Sequence, residues 1–390
     1  MERRTYLDHA ATTRPDPRVI EAMLPYYADH WANPSSVYVE AQAARRGLEG
    51  ARRSVAACIG CQPEEVVFTG GGSEADNLAI RGVAEASRRR GDHVITTRIE
   101  HHAVLHACER LEREGWRVTY LDVDSEGFID LQQLERAVDD RTVVVSIMLA
   151  NNEVGTLEPV AEAARVVKRA NPRCAVHTDA VQAVGLLPVN VDDLGVDLLT
   201  MAAHKFYGPK GVGALYVRPR TPIQPLILGG SQEQRLRAGT ENVAGAVGLA
   251  TALQLASDEM PSRAAHCRRL RDRLLDELPR AVTGAHITGS RDRDRRLPSN
   301  ASFCFEGVEG ESVLLQLDLA GVAASSGSAC TTGSLEPSHV LTAMRVPPEL
   351  ARSSLRLTVG RESTDEEIDR LLAVLPGAVE RLRALAPTSR

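Results

Sequence analysis

The chain has 390 residues, 43% of them hydrophobic and 25% charged, with a formal net charge of -6. That is enough apolar material for a large core and for two domains, and the charge balance leaves no basic footprint for nucleic acid or an anionic membrane surface. The opening MERRTYLDHAATT has no apolar run behind its basic residues, and stretches such as VVVSIMLA at 143–150 are too short to span a bilayer; a cytoplasmic, soluble protein is expected.

From about residue 66, short β-branched runs alternate with amphipathic stretches. VVFT (66–69), HVITT (93–97), RVTYLDV (117–123), VVVSIM (143–148), AVHTD (175–179) and LLTM (198–201) read as strands. Between them SEADNLAIRGVAEASRRR, HAVLHACERLEREG and EPVAEAARVVKRA repeat apolar residues at helical spacing. Strands alternating with helices predict an α/β fold with a mainly parallel sheet covered on both faces. Ligands gather at the carboxyl ends of such strands, where Gly70 to Ser73, His101, Asn152, Asp179 and Lys205 fall. A long helical region (242–281) follows, then GSRDRDRRLPSN (289–300), expected as a surface loop. Strands around ASFCF and SLRLTV and helices near 311–319 and 364–384 predict a smaller α+β domain. The division expected is a large domain over 14–258 and a small one made of 1–13 plus 259–390.

The 7 cysteines, an odd number in a long chain, give no disulfide framework. Six are expected to act as small buried apolar residues. Cys58 and Cys61 form a CxxC without a second pair at zinc spacing, so a structural role is favoured and no metal is expected.

Four segments carry chemistry. FTGGGSEADNLAI sets glycines and a serine between a strand and a helix, where backbone N–H groups and the helix dipole suit a phosphate; Gly72 and Ser73 are the candidate contacts. Its spacing is not that of a P-loop and no GxGxxG is present, which disfavours ATP and NAD. In HTDAVQA, Asp179 ends a strand, and a carboxylate there is costly to bury without a cation or donors. The protonated pyridine nitrogen of pyridoxal 5'-phosphate is such a cation; a helix-capping aspartate is the other reading. Gln182 could reach the phenolic oxygen of that ring. In AAHKFYGPKG, Lys205 follows His204 at a strand end, where an amine can lose its proton for Schiff-base chemistry; the alternative is a surface lysine like Lys210. Cys330 lies in SSGSACTTGSLEP, whose small residues suggest an exposed, swinging loop with a reactive thiol; a free loop cysteine without a role is the alternative.

YLDHAATT, NPSS, FTGGGSEADNLAIRG, EHHAVLHACERLEREG, ANNEVG, HTDAVQAVG, AHKFYGPKGVGALYV, RAGTEN, SSGSACTTGSLEPSHVL and SSLRLTVGR occur in the order found in NifS/IscS-like cysteine desulfurases. The chain resembles that family over nearly its whole length. The resemblance implies the type I pyridoxal-phosphate transferase fold of the class V aminotransferase group and a homodimer. It also implies conversion of L-cysteine to L-alanine, with sulfur passing to Cys330 as a persulfide for an acceptor protein. It further implies that Lys205 holds the cofactor and moves the Cα proton, while His101 stacks on the ring and takes part in proton transfer. Asp179 would pair with the pyridine nitrogen, Gln182 with the phenolic oxygen, and Asn152 would face cofactor and substrate. Gly72, Ser73 and His204 would hold the phosphate with Thr240 of the other subunit, and Arg356 and Asn33 would clamp the substrate carboxylate. His102 is expected to be an outward neighbour. Two positions depart from the family pattern: Ala202 stands where a serine phosphate donor is common, and GGSQEQRLRAGT replaces the usual GGGQERGLRSGT, which predicts an altered loop shape. A C–S lyase giving pyruvate, a selenocysteine lyase and a non-catalytic sulfur-relay subunit are the alternatives. The sulfur's destination stays open among iron–sulfur clusters, thiolated tRNA, sulfur-modified DNA and thio-containing natural products.

Overall fold

The computed structural model describes residues 4–327 and 337–385. A short strand, β1 (Thr5–Tyr6), precedes the main sheet, which is built from β2 (Val66–Thr69), β3 (His93–Thr97), β4 (Arg117–Leu121), β5 (Thr142–Ser146), β6 (Ala175–Asp179), β7 (Leu198–Ala202) and β8 (Gly213–Val217). The sheet is 7-stranded, in the order β2-β8-β7-β6-β5-β3-β4. Pairings among β3 to β7 are parallel, and β8 runs antiparallel to both β2 and β7. Strands β2, β3, β5, β6 and β7 are buried along their whole length. This is why they read as continuous apolar or β-branched runs and not as alternations. The helices Gly72–Ser87, His102–Arg113 and Val160–Ala170 fill the crossovers between strands, as their spacing predicts.

This order brings the carboxyl ends of β2, β3, β5, β6 and β7 to one edge of the sheet. Strand order also reverses at β3, with β4 on one side and β5 on the other, which opens a crevice at those ends. A second sheet, β9 (Ala285–Ile287), β10 (Asn300–Phe305) and β12 (Leu355–Thr358), is antiparallel, while β11 (Val322–Ala323) pairs in parallel with β1. Leu7, Leu270, Leu274, Phe303, Phe305, Leu317, Leu357, Leu371 and Leu375 form its separate core. The N-terminal strand therefore packs with the last third of the chain.

Three expectations change. The 242–281 region is two helices, Val243–Asp258 and Met260–Ala281, broken at Glu259. Pro261 is the second residue of the latter, in the first turn, where its missing N–H costs nothing. The charged stretch 289–300 is exposed only over residues 291–295, and Arg296 to Asn300 are buried. Arg296 turns inward because its guanidinium donates to the backbone carbonyls of Ser290 and Thr288. Of the six cysteines expected in the core, Cys108, Cys174, Cys267 and Cys304 are buried, but Cys58 and Cys61 are half-buried. Burial still raises the Cys61 thiol to about 12, followed in effect by Glu65 and Asp192, so it is not a poised nucleophile. Among the described residues, no group of His, Cys, Asp and Glu is placed to hold a metal ion, and no helix is long and apolar enough to cross a membrane.

The 229–240 segment carries a short 3-10 turn at Glu233–Arg235. Glu233, Gln234 and Arg235 have φ of 45°, 57° and 68°, three successive side chains in left-handed backbone. The turn is anchored by the Glu233 carboxylate, which accepts from Arg52 at 2.7 and 2.8 Å and from the Phe68 N–H at 2.8 Å. Arg235 stands where the family pattern has glycine. Relief of left-handed strain outweighs the entropy a glycine adds to the unfolded chain. Arg235→Gly is therefore expected to stabilise the fold by about 1 kcal/mol, read as a rise in the denaturant midpoint at unchanged slope.

Candidate active site

The crevice holds a cavity of about 350 Å³ lined by Gly72, Ser73, His101, Asn152, Asp179, Gln182, His204, Lys205 and Arg356. These are residues that sequence reading had put at strand ends and loops far apart in the chain. Gly72 and Ser73 open the helix after β2, behind Gly71 as N-cap with φ of 152°. First-turn amides of a helix have no partner within it. A Cβ on Gly72 would lie 3.0 Å from Val181 and 3.4 Å from the Ala202 Cβ, so only glycine leaves this wall of the cavity open.

Asp179 is buried at the end of β6, and its Oδ1 accepts from the Val181 N–H at 2.9 Å. Burial raises its pKa, and the Val181 N–H and then the charge of Lys205 pull it back. Asp76, on the helix behind, is also buried and pushed up, by desolvation first and then by Asp179. Two desolvated carboxyls side by side want a positive charge. Lys205 supplies part of it from the turn after β7, where Nζ donates to the carbonyls of Ala10 at 2.5 Å and Ala11 at 2.9 Å. Gln182 Nε2 donates to the same Ala10 oxygen at 3.1 Å.

His101 caps the helix after β3, its Nδ1 accepting from the Ala103 N–H at 3.2 Å, which leaves the proton of the neutral ring on Nε2. Burial, then Lys205, holds its pKa down to about 4. His204 is likewise lowered to about 4 by burial and Lys205, with Nδ1 3.2 Å from the Thr12 hydroxyl. Both rings are therefore neutral near pH 7. Arg356, in β12 and 3% exposed, donates to the Asn152 carbonyl and to Asp8 Oδ1, each at 2.9 Å.

The cavity also gathers residues that had not been singled out: Ala10, Ala11, Asp76, Met148, Glu153 and His339. Asp76 had a signal, since it lies one helical turn from Gly72 and so on the same face. His102 is not an outward neighbour. As first residue of its helix it lines the cavity, with its ring 4.7 Å from that of His339 and 5.0 Å from that of His106. Asn33 is exposed, outside the cavity lining, and accepts from the Ser35 N–H in its own turn. Thr240 is exposed and also outside that lining. Cys330 lies outside the described residues; Gly327, which precedes it in the chain, lines the cavity.

A buried carboxyl seeking a cation, a helix N-terminus with a glycine wall, and a lysine between them fit pyridoxal 5'-phosphate. The chain belongs to the class V aminotransferases, pyridoxal-phosphate enzymes whose family model matches residues 5–371. Within it, the chain is a NifS/IscS-like cysteine desulfurase. It is 50% identical to a protein named cysteine desulfurase IscS from Dictyoglomus turgidum, over 99% of this chain and 97% of that one. A solved structure titled NIFS-like protein superposes with a TM-score of 0.91 at 40% identity, covering 97% of this chain and 100% of that one. Another, titled SspA in complex with cysteine, gives 0.80 at 36% identity, covering 92% and 100%.

Glu153 is the cavity's most distinctive titrating group. It is 4% exposed and accepts from the hydroxyl of Ser338, the N-cap of the helix His339–Ala343. Burial pushes its carboxyl up to about 7, against the opposing pull of Ser338 and Arg356. A raised carboxyl favours the protonated fold. Its contribution is fully present below the unfolded value near 4.5 and is lost as pH rises through about 7. Glu153→Gln is therefore expected to gain stability relative to the parent as pH rises from 5 to 8 (roughly the window of the shift), measured by thermal unfolding of the cofactor-free protein.

Proposed function

We propose that this protein removes sulfur from L-cysteine, leaving L-alanine, and that Cys330 receives the sulfur as a persulfide. The observation that carries the reading is the meeting of Lys205, Asp179, His101 and Arg356 in one cavity whose wall runs to Gly327, just ahead of Cys330. The solved relative titled as a complex with cysteine supports the substrate.

Lys205 would hold pyridoxal 5'-phosphate, with Asp179 against its ring nitrogen, Gln182 at its phenolic oxygen, His101 over the ring, and Gly72, Ser73 and His204 at its phosphate. When bound, the cofactor withdraws electrons from the substrate Cα and Cβ, so that the Cα proton is acidified and the C–S bond weakened. Lys205 then takes the Cα proton. Arg356 presents a planar fork to the substrate carboxylate, already aimed by Asp8 and the Asn152 carbonyl, and Asn152 faces the same ligand. His101, neutral with a proton on Nε2, donates or relays a proton within the cavity. The Cys330 thiolate attacks the substrate sulfur: an S–S bond forms, the C–S bond breaks, its electron pair stays on Cβ and is protonated there, and Lys205 returns a proton to Cα, completing alanine. Ala202 removes one hydroxyl from the phosphate end, which leaves Ser73, His204 and the helix amides to hold it.

The functional unit of this reading is a cytoplasmic homodimer. Leu24, Tyr27, Trp31, Val37 and Val39 are exposed large apolar residues on a contiguous stretch of sequence, which supports a covered face. Exposed Thr240 suits a residue offered to the phosphate of a second copy. A large domain over 14–258 and a small domain of 1–13 plus 259–390 would meet at the site, and a separate acceptor protein would take the sulfur, without direct binding to nucleic acid or membrane.

Cys330→Ala is expected to keep the visible band of the lysine-bound cofactor while losing persulfide formation, scored by mass spectrometry of the trapped thiol and by alanine release. Unchanged turnover in that variant would remove Cys330 from the reaction. Lys205→Ala should lose both the band and at least about 1,000-fold in kcat; retention of both would overturn the assignment of that lysine.

A further inference from the structure

The segment Ala10–Thr13 reaches Lys205 from two directions. At the side chain, the carbonyls of Ala10 and Ala11 accept from Nζ. At the backbone, the Thr13 hydroxyl donates to the His204 carbonyl at 2.8 Å and accepts from the Tyr207 N–H at 2.8 Å. The N–H of Thr13 adds a third bond, to the same His204 carbonyl at 2.9 Å. One hydroxyl thus bridges the carbonyl just before Lys205 and the N–H two residues after it. Thr13 is 3% exposed, so water does not substitute for it.

The turn it spans is strained. Tyr207 has φ of 69°, uncommon for a bulky side chain, and such a conformation persists only where its surroundings over-determine it. The Tyr207 hydroxyl accepts from the Arg361 N–H at 2.8 Å, and its ring faces the guanidinium groups of Arg263 and Arg361 at 5.3 and 4.5 Å. Those contacts hold the ring. The Tyr207 amide, the end nearer Lys205, is bound by Thr13. Threonine fits this buried position because its hydroxyl donates and accepts at once, whereas isosteric valine does neither. The hydroxyl of the neighbouring Thr12 lies 3.2 Å from the ring of His204.

We propose that Thr13 is a positioning residue for the desulfurase reaction, fixing the backbone on either side of Lys205 and thereby where Nζ stands. Thr13 lies outside the cavity lining and acts through Lys205, so the inference rests on the reading that Lys205 carries the cofactor and the Cα proton.

The test compares Thr13→Val with Thr13→Ser in two forms of the protein. In the cofactor-loaded enzyme, the valine variant is expected to lose about 10- to 100-fold in kcat with KM for cysteine changed less than about twofold, and serine to recover to within about threefold of the parent. In the cofactor-free protein, acetylation of Lys205 against pH, followed by mass spectrometry of folded material, is expected to shift for valine and not for serine. Should the valine variant not accumulate, Thr13→Cys, with a weak donor of similar size, is read in the same way. The proposal fails if kcat and the Lys205 profile both match the parent. It also fails if activity falls only in step with the unfolded fraction while folded protein labels normally, since that is a purely structural role. A parent chain without desulfurase activity overturns the proposed function instead, and the labelling comparison still decides the place of Thr13.

Discussion

A carboxylate stripped of water needs positive charge nearby, and the cavity is organised around that need at Asp179. Burial at the end of β6 pushes its pKa up, buried Asp76 adds a second acid, and the Val181 N–H and then the charge of Lys205 pull Asp179 back toward ionisation. A ring nitrogen that takes a proton completes this arrangement. The same desolvation keeps His101 and His204 neutral, so that proton transfer is available near neutral pH without adding positive charge beside the lysine.

The lysine itself is held by main chain. Ala10 and Ala11 present carbonyls to Nζ, and the strand leading to them pairs with β11, which precedes the Cys330 segment. Asp8, on the same stretch, orients Arg356. A short N-terminal segment thereby connects Lys205, Arg356 and the core of the second sheet. A displacement there would move Lys205 and Arg356 together, and small displacements of groups that a reaction positions are costly in rate.

Left-handed backbone at non-glycine residues recurs in this fold, and two such turns are tied to distant segments. Tyr207 and the run Glu233 to Arg235 all have left-handed backbone, and each is fastened by side chains from distant parts of the chain: Arg361 and Thr13 at the first, Arg52 at the second. Such conformations stay populated only where surrounding contacts over-determine them.

Much of this was legible in the sequence. Completely buried parallel strands need unbroken apolar runs, so VVFT, HVITT and AVHTD match their strands residue for residue. Their carboxyl ends fixed which polar residues could share a site: a parallel sheet aligns those ends whatever the loops do. By the same rule Gly72, His101, Asp179 and Lys205 were identifiable before any coordinates. What tertiary structure alone decided were contacts without local periodicity. The inward turn of Arg296 out of a charged run depends on carbonyls at Ser290 and Thr288. The entry of His102 into the cavity depends on where His339 packs. The raised pKa of Glu153 and the strap from Ala10 to Thr13 depend on burial and on partners nearly 200 residues away. Patterning records which side chains leave water; desolvation and through-space hydrogen bonds exist only once distant segments have met.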